Sequence, residues 1–326
     1  PKTYFAEYSK ASTNYLLITE RIEFASEETH PPGKAGRDVP LAPNAIERVY
    51  DKFMDHLIGS DPLEYYLCLA NAIGKQIGWY KADDDAGSVL NSSFPFAPPP
   101  PPASAVHPMS PMLVDFATTT CKCLFADDVS DPKYQQQLQS EMKELAPMLG
   151  KAYKYLLSDP DYLGYAHPNG NIDNAYWWRD EAGKLHCGMI DFGGYQCSPV
   201  ITHLVNALYS AEPEIHEKHH DELMRAFIDG VASMGGPRYD LDEVKLRWSL
   251  AQAINVCGGQ AVGTINMVYM MIPKPMWKTI KDRHDPRVAG REMNCFLGRA
   301  FAFSIVDQVT IWKRMGTYAK VKAFLK

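Results

Sequence analysis

The chain of 326 residues has no apolar run approaching the roughly eighteen residues that a membrane-spanning helix requires, so no such span is expected. It also has no basic block. Its 33 lysines and arginines are outnumbered by 39 acidic residues, giving a net charge of −6, and this balance gives no reason to expect nucleic acid or an anionic membrane surface as a partner. No G-x-G-x-x-G and no G-x-x-x-x-G-K-[ST] occurs, so neither common glycine-rich phosphate loop is present. Internal repeats are absent as well. The seven cysteines are odd in number and scattered, and Cys121-x-Cys123 has neither metal-site nor redox spacing. They read as reduced thiols of an intracellular protein. No charged-then-apolar leader follows Pro1, and the expectation is a processed protein or a fragment.

With 46% apolar residues the chain can bury a substantial core, as one large domain or two smaller ones. Lys2–Glu7 and Tyr15–Ile22 read as strands around a polar turn, the second with the character of a buried strand. Residues 25–43 read as a polar loop. Ile46, Val49, Tyr50, Phe53 and Leu57 then recur at helical spacing up to Gly59. The next helix has Asp61 as N-cap, Pro62 in its first turn and Glu64 at the capping-box position, with Tyr66, Ala70, Ile73 and Ile77 in its buried stripe.

From Ser88 to Pro111 the composition shifts to proline, serine and alanine, including the run Pro98–Pro102. This segment is either a docking site for a polyproline-binding partner or, as short proline runs more often are, a surface spacer. A long helix opens at Asp131-Pro132, kinks at Pro147 and ends at Asp159-Pro160. Beyond Gly194 helical spacing dominates, over Val200–Tyr209, Glu214–Met234, Asp242 to about Met271 and Asp285–Lys313.

Between these helical regions lies His167–Gly194. Asn174-Ala-Tyr-Trp-Trp reads as one strand, Asp180–Lys184 as a glycine-containing turn and Leu185–Ile190 as the returning strand. A histidine, an asparagine seven residues later, a hairpin and then Ile190-Asp191-Phe192-Gly193 resemble the catalytic loop and metal-binding segment of the protein-kinase-like phosphotransferases, and within them the aminoglycoside and choline kinase-like group.

The resemblance implies an α+β, kinase-like fold. Residues 1–24 would be the remnant of a truncated small β lobe and hinge, with Glu20 and Ile22 holding adenine. Residues 25–326 would form a mostly helical large lobe that contains the Pro-rich excursion 88–111 and the catalytic hairpin 167–194. It implies ATP and magnesium as cofactors, with Asn174 and Asp191 as metal ligands on oxygen donors. His167 would orient the loop through the backbone near Asp191. The acceptor would be a hydroxyl on a small molecule. The position of the family's catalytic aspartate is held here by Asn169, and a neutral amide cannot take up the acceptor's proton. General-base help is worth about 10²–10⁴-fold, so the resemblance implies a weak or inactive phosphotransferase, or a non-catalytic module that binds a protein partner. Asp173 is a carboxylate nearby, but one residue before Asn174 and out of register.

Other clusters read more plainly. His216, His219 and His220 with Glu214 and Glu217 are either metal ligands one helical turn apart or a solvated helix face, and without a fourth ligand the second is expected. Trp177 and Trp178 must point to opposite faces of a strand, and both are expected in the core. Tyr4, Tyr8 and Tyr15 read as packing residues, and Met267, Met270, Met271 and Met276 as a core or groove wall.

Overall fold

The computed structural model of the protein describes residues 1–8, 15–33, 41–58, 61–93, 96–259, 262–289 and 295–326. The expected turn before Tyr15 and the helix stop at Gly59 lie outside them. The class is α+β, with long helices and three separate two-stranded antiparallel sheets among the described residues.

Strands β1 (Thr3–Tyr8) and β2 (Tyr15–Thr19) pair with each other. The expectation of a buried second strand fails. Leu16, Leu17 and Ile18 are each about half exposed, and Tyr4, expected to pack, is 61% exposed. A two-stranded sheet has two faces, and neither contributes to the core of the described residues. The expected hinge residues follow β2: Glu20 is exposed and receives the Lys2 backbone N–H, and Ile22 is half-buried.

The α-helix expected over Ile46–Leu57 does not form: an extended stretch around Ile46 gives way to a turn at Lys52–Phe53 and a short 3-10 helix, Asp55–Leu57. Asn44 and Glu47 donate their N–H groups to the carbonyls of Arg179 and Trp177, adding a short third edge to the hairpin. Tyr50 and Tyr65 both donate their hydroxyls to the Glu47 carboxylate. Phe53 takes a left-handed backbone (φ 63°), which no α-helix contains. Full burial of its ring edge-on to Tyr209 and Phe303 offsets that strain.

Helix α1 (Pro62–Ala82) begins where its cap specifies, with Asp61 accepting the Leu63 N–H. Glu64 leaves the capping box to pair with Arg179 at 2.6 Å. Helix α2 (Asp84–Ser93) occupies the start of the Pro-rich region. The long helix is divided at Pro147, as its sequence indicates, into α3 (Pro132–Leu145) and α4 (Leu149–Ser158). Strand β3 (Leu163–Ala166) then leads into the candidate loop, followed by β4 (Ala175–Arg179) and β5 (Leu185–Met189), and β6 (Gln196–Pro199) returns beside β3.

Helices α5 (Val200–Ala207) and α6 (Pro213–Ser233) follow. Helix α7 (Leu241–Gly258) is capped by Asp240 and stops at Gly259 in the left-handed conformation, short of the expected Met271, and α8 (Ile265–Met271) is a separate helix. Helices α9 (Cys295–Arg314) and α10 (Thr317–Leu325) close the chain.

The central crossing is α1 against α6. A side chain at Gly74 would stand 2.2 Å from the Phe227 carbonyl oxygen, and one at Gly230 would stand 2.2 Å from that of Asn71. Glycine at both positions lets the two backbones touch. The histidine face expected in solvent turns inward instead: His216 and His220 are buried against the Trp248 ring. The methionine wall is only partly realised, since Met267 and Met270 are exposed while Met271 and Met276 pack at the core's edge. No helix of the described residues is long and apolar enough to cross a membrane.

Candidate functional site

The hairpin forms because its aromatic strands flank a turn with its own fastening. Asp180 accepts the N–H groups of Ala182 and Lys184 and pairs with His186 at 2.8 Å, while Gly183 supplies the positive φ. The His186 partnership holds the Asp180 carboxyl below the usual carboxylate range. Trp177 is wholly buried, edge-on to Tyr65. Trp178, also expected in the core, lies on the other face, half-buried between the rings of Tyr176 and His186.

At the open end of the hairpin the Ile190 N–H donates to the Asn174 carbonyl at 2.9 Å, one step beyond the Ala175–Met189 pair. That bond brings the backbone of Asn174 level with the residue preceding Asp191. Asp191 then leaves the strand with φ 60°, a left-handed turn that aspartate tolerates better than most side chains. Its carboxylate is exposed, and the Phe192 ring rests 4.6 Å from the His167 imidazole.

His167 is fully buried. Its Nδ1 accepts the Asn169 N–H at 3.1 Å, so its other nitrogen carries the proton and donates to the Ile190 carbonyl at 2.7 Å. Burial holds its pKa below the ordinary histidine value, which keeps this neutral tautomer in place. The imidazole therefore ties the loop to the strand end that delivers Asp191.

Asn169 is exposed and hydrogen-bonds within its own loop. Its side-chain oxygen accepts the Asn171 amide, and its backbone carbonyl accepts the Asn174 amide at 2.7 Å. The Asn174 Nδ2 is thus committed to the loop, which leaves its Oδ1 as the available ligand atom. Asp173 pairs with Lys52 at 3.2 Å.

Two braces could not be read from the sequence. Gln76 of α1 accepts the His167 N–H at 2.9 Å, and Asn206 of α5 donates to the Pro168 carbonyl at 2.8 Å. Both come from helices far away in the chain, where an asparagine or glutamine among helical residues carries no motif.

The donor set fits a hard divalent cation. Asp191 and Asn174 offer oxygen, and the loop also contains two buried oxygens without a hydrogen-bond partner, Asn171 Oδ1 and Asp173 Oδ1. Among the described residues no three His, Cys, Asp or Glu side chains converge as a self-sufficient metal site. Magnesium does not demand one, since water and phosphate oxygens complete its shell. The expected hinge residues Glu20 and Ile22 lie in the extended segment after β2, and the structure gives them no role in this loop.

Comparison of the chain with protein families, with curated proteins and with solved structures finds no match.

Proposed function

We propose that this protein is a kinase-like phosphotransferase of the aminoglycoside and choline kinase type, slow in transfer to a small-molecule hydroxyl. The observation that carries the reading is the closure of the hairpin's open end. Ile190 is bonded through its N–H to Asn174 and through its carbonyl to His167, so one residue joins the loop to the segment that bears Asp191.

In this reading Asn174 and Asp191 hold magnesium through oxygen. The metal, when bound, would neutralise charge on the phosphate oxygens of ATP. His167 transfers no proton. Its two ring nitrogens are both engaged by backbone groups, and its work is to fix the loop. Asn169 stands where a base would stand, and its amide orients without accepting the proton of the acceptor. Phosphoryl transfer through a loose transition state demands less of a base than acyl transfer does, so a residual rate is expected.

A second reading, a kinase-like interaction module without turnover, is favoured by Asn169 itself. Its side-chain oxygen is already occupied by Asn171.

The test combines manganese binding followed by electron paramagnetic resonance with ATP turnover, on the chain as described and on Asp191→Ala. Binding lost in Asp191→Ala together with slow ATP turnover supports the phosphotransferase. Binding without turnover supports the module. Binding unchanged by Asp191→Ala would refute the cation site and the phosphotransferase reading with it.

A further inference from the structure

Beside the candidate loop lies a cavity of about 640 Å³. Its size is that of a pocket for a single small organic molecule, for which about 300–1,000 Å³ is usual. Helices α4, α5 and α7 supply its walls with Leu156, Leu157, Val205, Ala251 and Ile254. The strap Pro99–Pro102 lies across it. Tyr153 of α4 donates its hydroxyl to the Pro99 carbonyl and fastens that strap. At one end the cavity reaches Pro168, the residue before Asn169.

Among the described residues the lining contains no aspartate, glutamate, lysine or arginine. Its histidine and cysteine are also held neutral. Burial holds His203 down to about 4, with its Nε2 against Ser198 Oγ at 2.9 Å and the Gly164 carbonyl at 3.1 Å. Burial pushes the Cys197 thiol up to about 11. An ion entering here would give up part of its water without meeting a charged side chain in the lining. A neutral molecule avoids that cost.

The polar groups indicate what such a molecule carries. Consecutive prolines have no N–H, so the strap's backbone can only accept hydrogen bonds. Gln196, Thr202 and Asn255 add amide and hydroxyl groups at the lining. The complement is an apolar body bearing hydroxyl groups that donate.

We infer that this cavity binds an uncharged small molecule that combines apolar surface with hydroxyl groups. Its role as the acceptor site rests on the phosphotransferase reading; its binding chemistry does not. A cationic aminoglycoside or choline is excluded from it by the same electrostatics that admit the neutral molecule. The polyproline run is thereby given a place in the fold, as the acceptor-only wall of a pocket.

The experiment uses the whole chain and Nile red, an uncharged fluorophore, displaced by three versions of one scaffold: a hydroxysteroid, its sulfate ester and its amine analogue. Saturable Nile red binding, with the hydroxysteroid displacing it roughly tenfold better than either charged version, is the expected result. Ile254→Asp places a charge in the wall and should weaken Nile red and hydroxysteroid binding by about tenfold or more while improving the amine. Circular dichroism reports whether that variant folds. Should it not, Ala251→Asp and Thr202→Glu place the charge at other points of the lining, and the ranking of the three scaffolds on the unaltered chain stands independently. Equal or tighter binding of a charged version, or Nile red binding indifferent to folded charge variants, would overturn the inference. Radiolabelled ATP with magnesium and the hydroxysteroid gives the separate readout. Binding without transfer counts against the phosphotransferase reading and leaves the pocket standing. Transfer that survives a binding-defective variant would overturn the acceptor role.

Discussion

The Lys52 ammonium lies 3.2 Å from the Asp173 carboxylate, with each side chain only 14% exposed. In the proposed phosphotransferase Asp173, four residues after Asn169, would be the obvious substitute for a base, and this ion pair already employs it. Lys52 also lies 5.2 Å from the centre of the Phe296 ring, so the pair is anchored on both sides. The proposed chemistry therefore turns on Asn169 itself.

Replacing Asn169 by aspartate should raise phosphoryl transfer by about 10²-fold. The new carboxylate keeps an oxygen for the Asn171 amide, and the backbone bond to Asn174 is unaffected, so the loop retains its shape. Turnover with a panel of hydroxyl acceptors, and ATP hydrolysis as a substrate-independent readout, measure the gain. Equal and high rates in both forms would show that Asn169 does not occupy the place of the base.

Asn174→Ala and Asp191→Ala should each weaken manganese binding by about tenfold or more, while Asn169→Asp leaves it little changed. Titration followed by electron paramagnetic resonance reads this directly. A metal affinity untouched by Asn174→Ala would remove that residue from the ligand set.

His167→Ala should destabilise the fold by about 2 kcal/mol or more, since it leaves the Asn169 N–H and the Ile190 carbonyl without their partners and opens a void. Urea unfolding gives the value. A cost near zero would mean that the imidazole does not hold the loop.

Acid should weaken the fold through its buried histidines. Burial holds His220 at about 3 and His216 at about 4, against an ordinary value of 6.5. Unfolded chains take up protons below that value and the folded chain does not. Their contribution to stability is thus fully present above pH 6.5 and is lost as the pH drops from there toward 3–4. Lys320, Lys245 and His216 add to the depression at His220, and Asp221 opposes it. His220→Phe keeps an aromatic ring against Trp248 and removes one proton-accepting group, so the loss of melting temperature between pH 7.5 and 4.5 should shrink. An unchanged loss would assign the acid sensitivity to other groups.

Gly230→Ala should cost about 1–3 kcal/mol, because its methyl group would meet the Asn71 backbone and α1 and α6 must separate. Gly150→Ala, where the new methyl meets nothing within 4 Å, is the control. Equal melting temperatures for the two variants would contradict the close crossing.

Much of the architecture is written in local chemistry. Asp61-Pro62, Asp131-Pro132 and Asp240 with Glu243 mark helix starts because a short carboxylate accepts the N–H groups of the first turn whatever lies beyond. Pro147 divides its helix because proline lacks a donor, and the hairpin closes about Asp180 and Gly183 for reasons contained in five residues. The spacing from His167 to Asn174 and on to Asp191 is likewise legible, since a hairpin fixes which residues meet at its ends.

Tertiary structure decided the rest, and always where periodicity alone left a residue's partner open. Ile46, Val49, Tyr50, Phe53 and Leu57 repeat like a helix, yet hydrogen bonds from Asn44 and Glu47 to Arg179 and Trp177, more than a hundred residues away, hold the start of that segment extended against the hairpin. His216 and His220 read as a wet face until Trp248 of another helix covers them. The apolar β2 reads as buried, but burial requires a neighbour, and the described residues supply none. Gln76 and Asn206 brace the loop only because α1 and α5 arrive beside it. Caps, turns and hairpins are satisfied by atoms a few residues apart and so are encoded locally. Burial and long-range hydrogen bonds depend on which distant surface arrives, and that was decided by the fold as a whole.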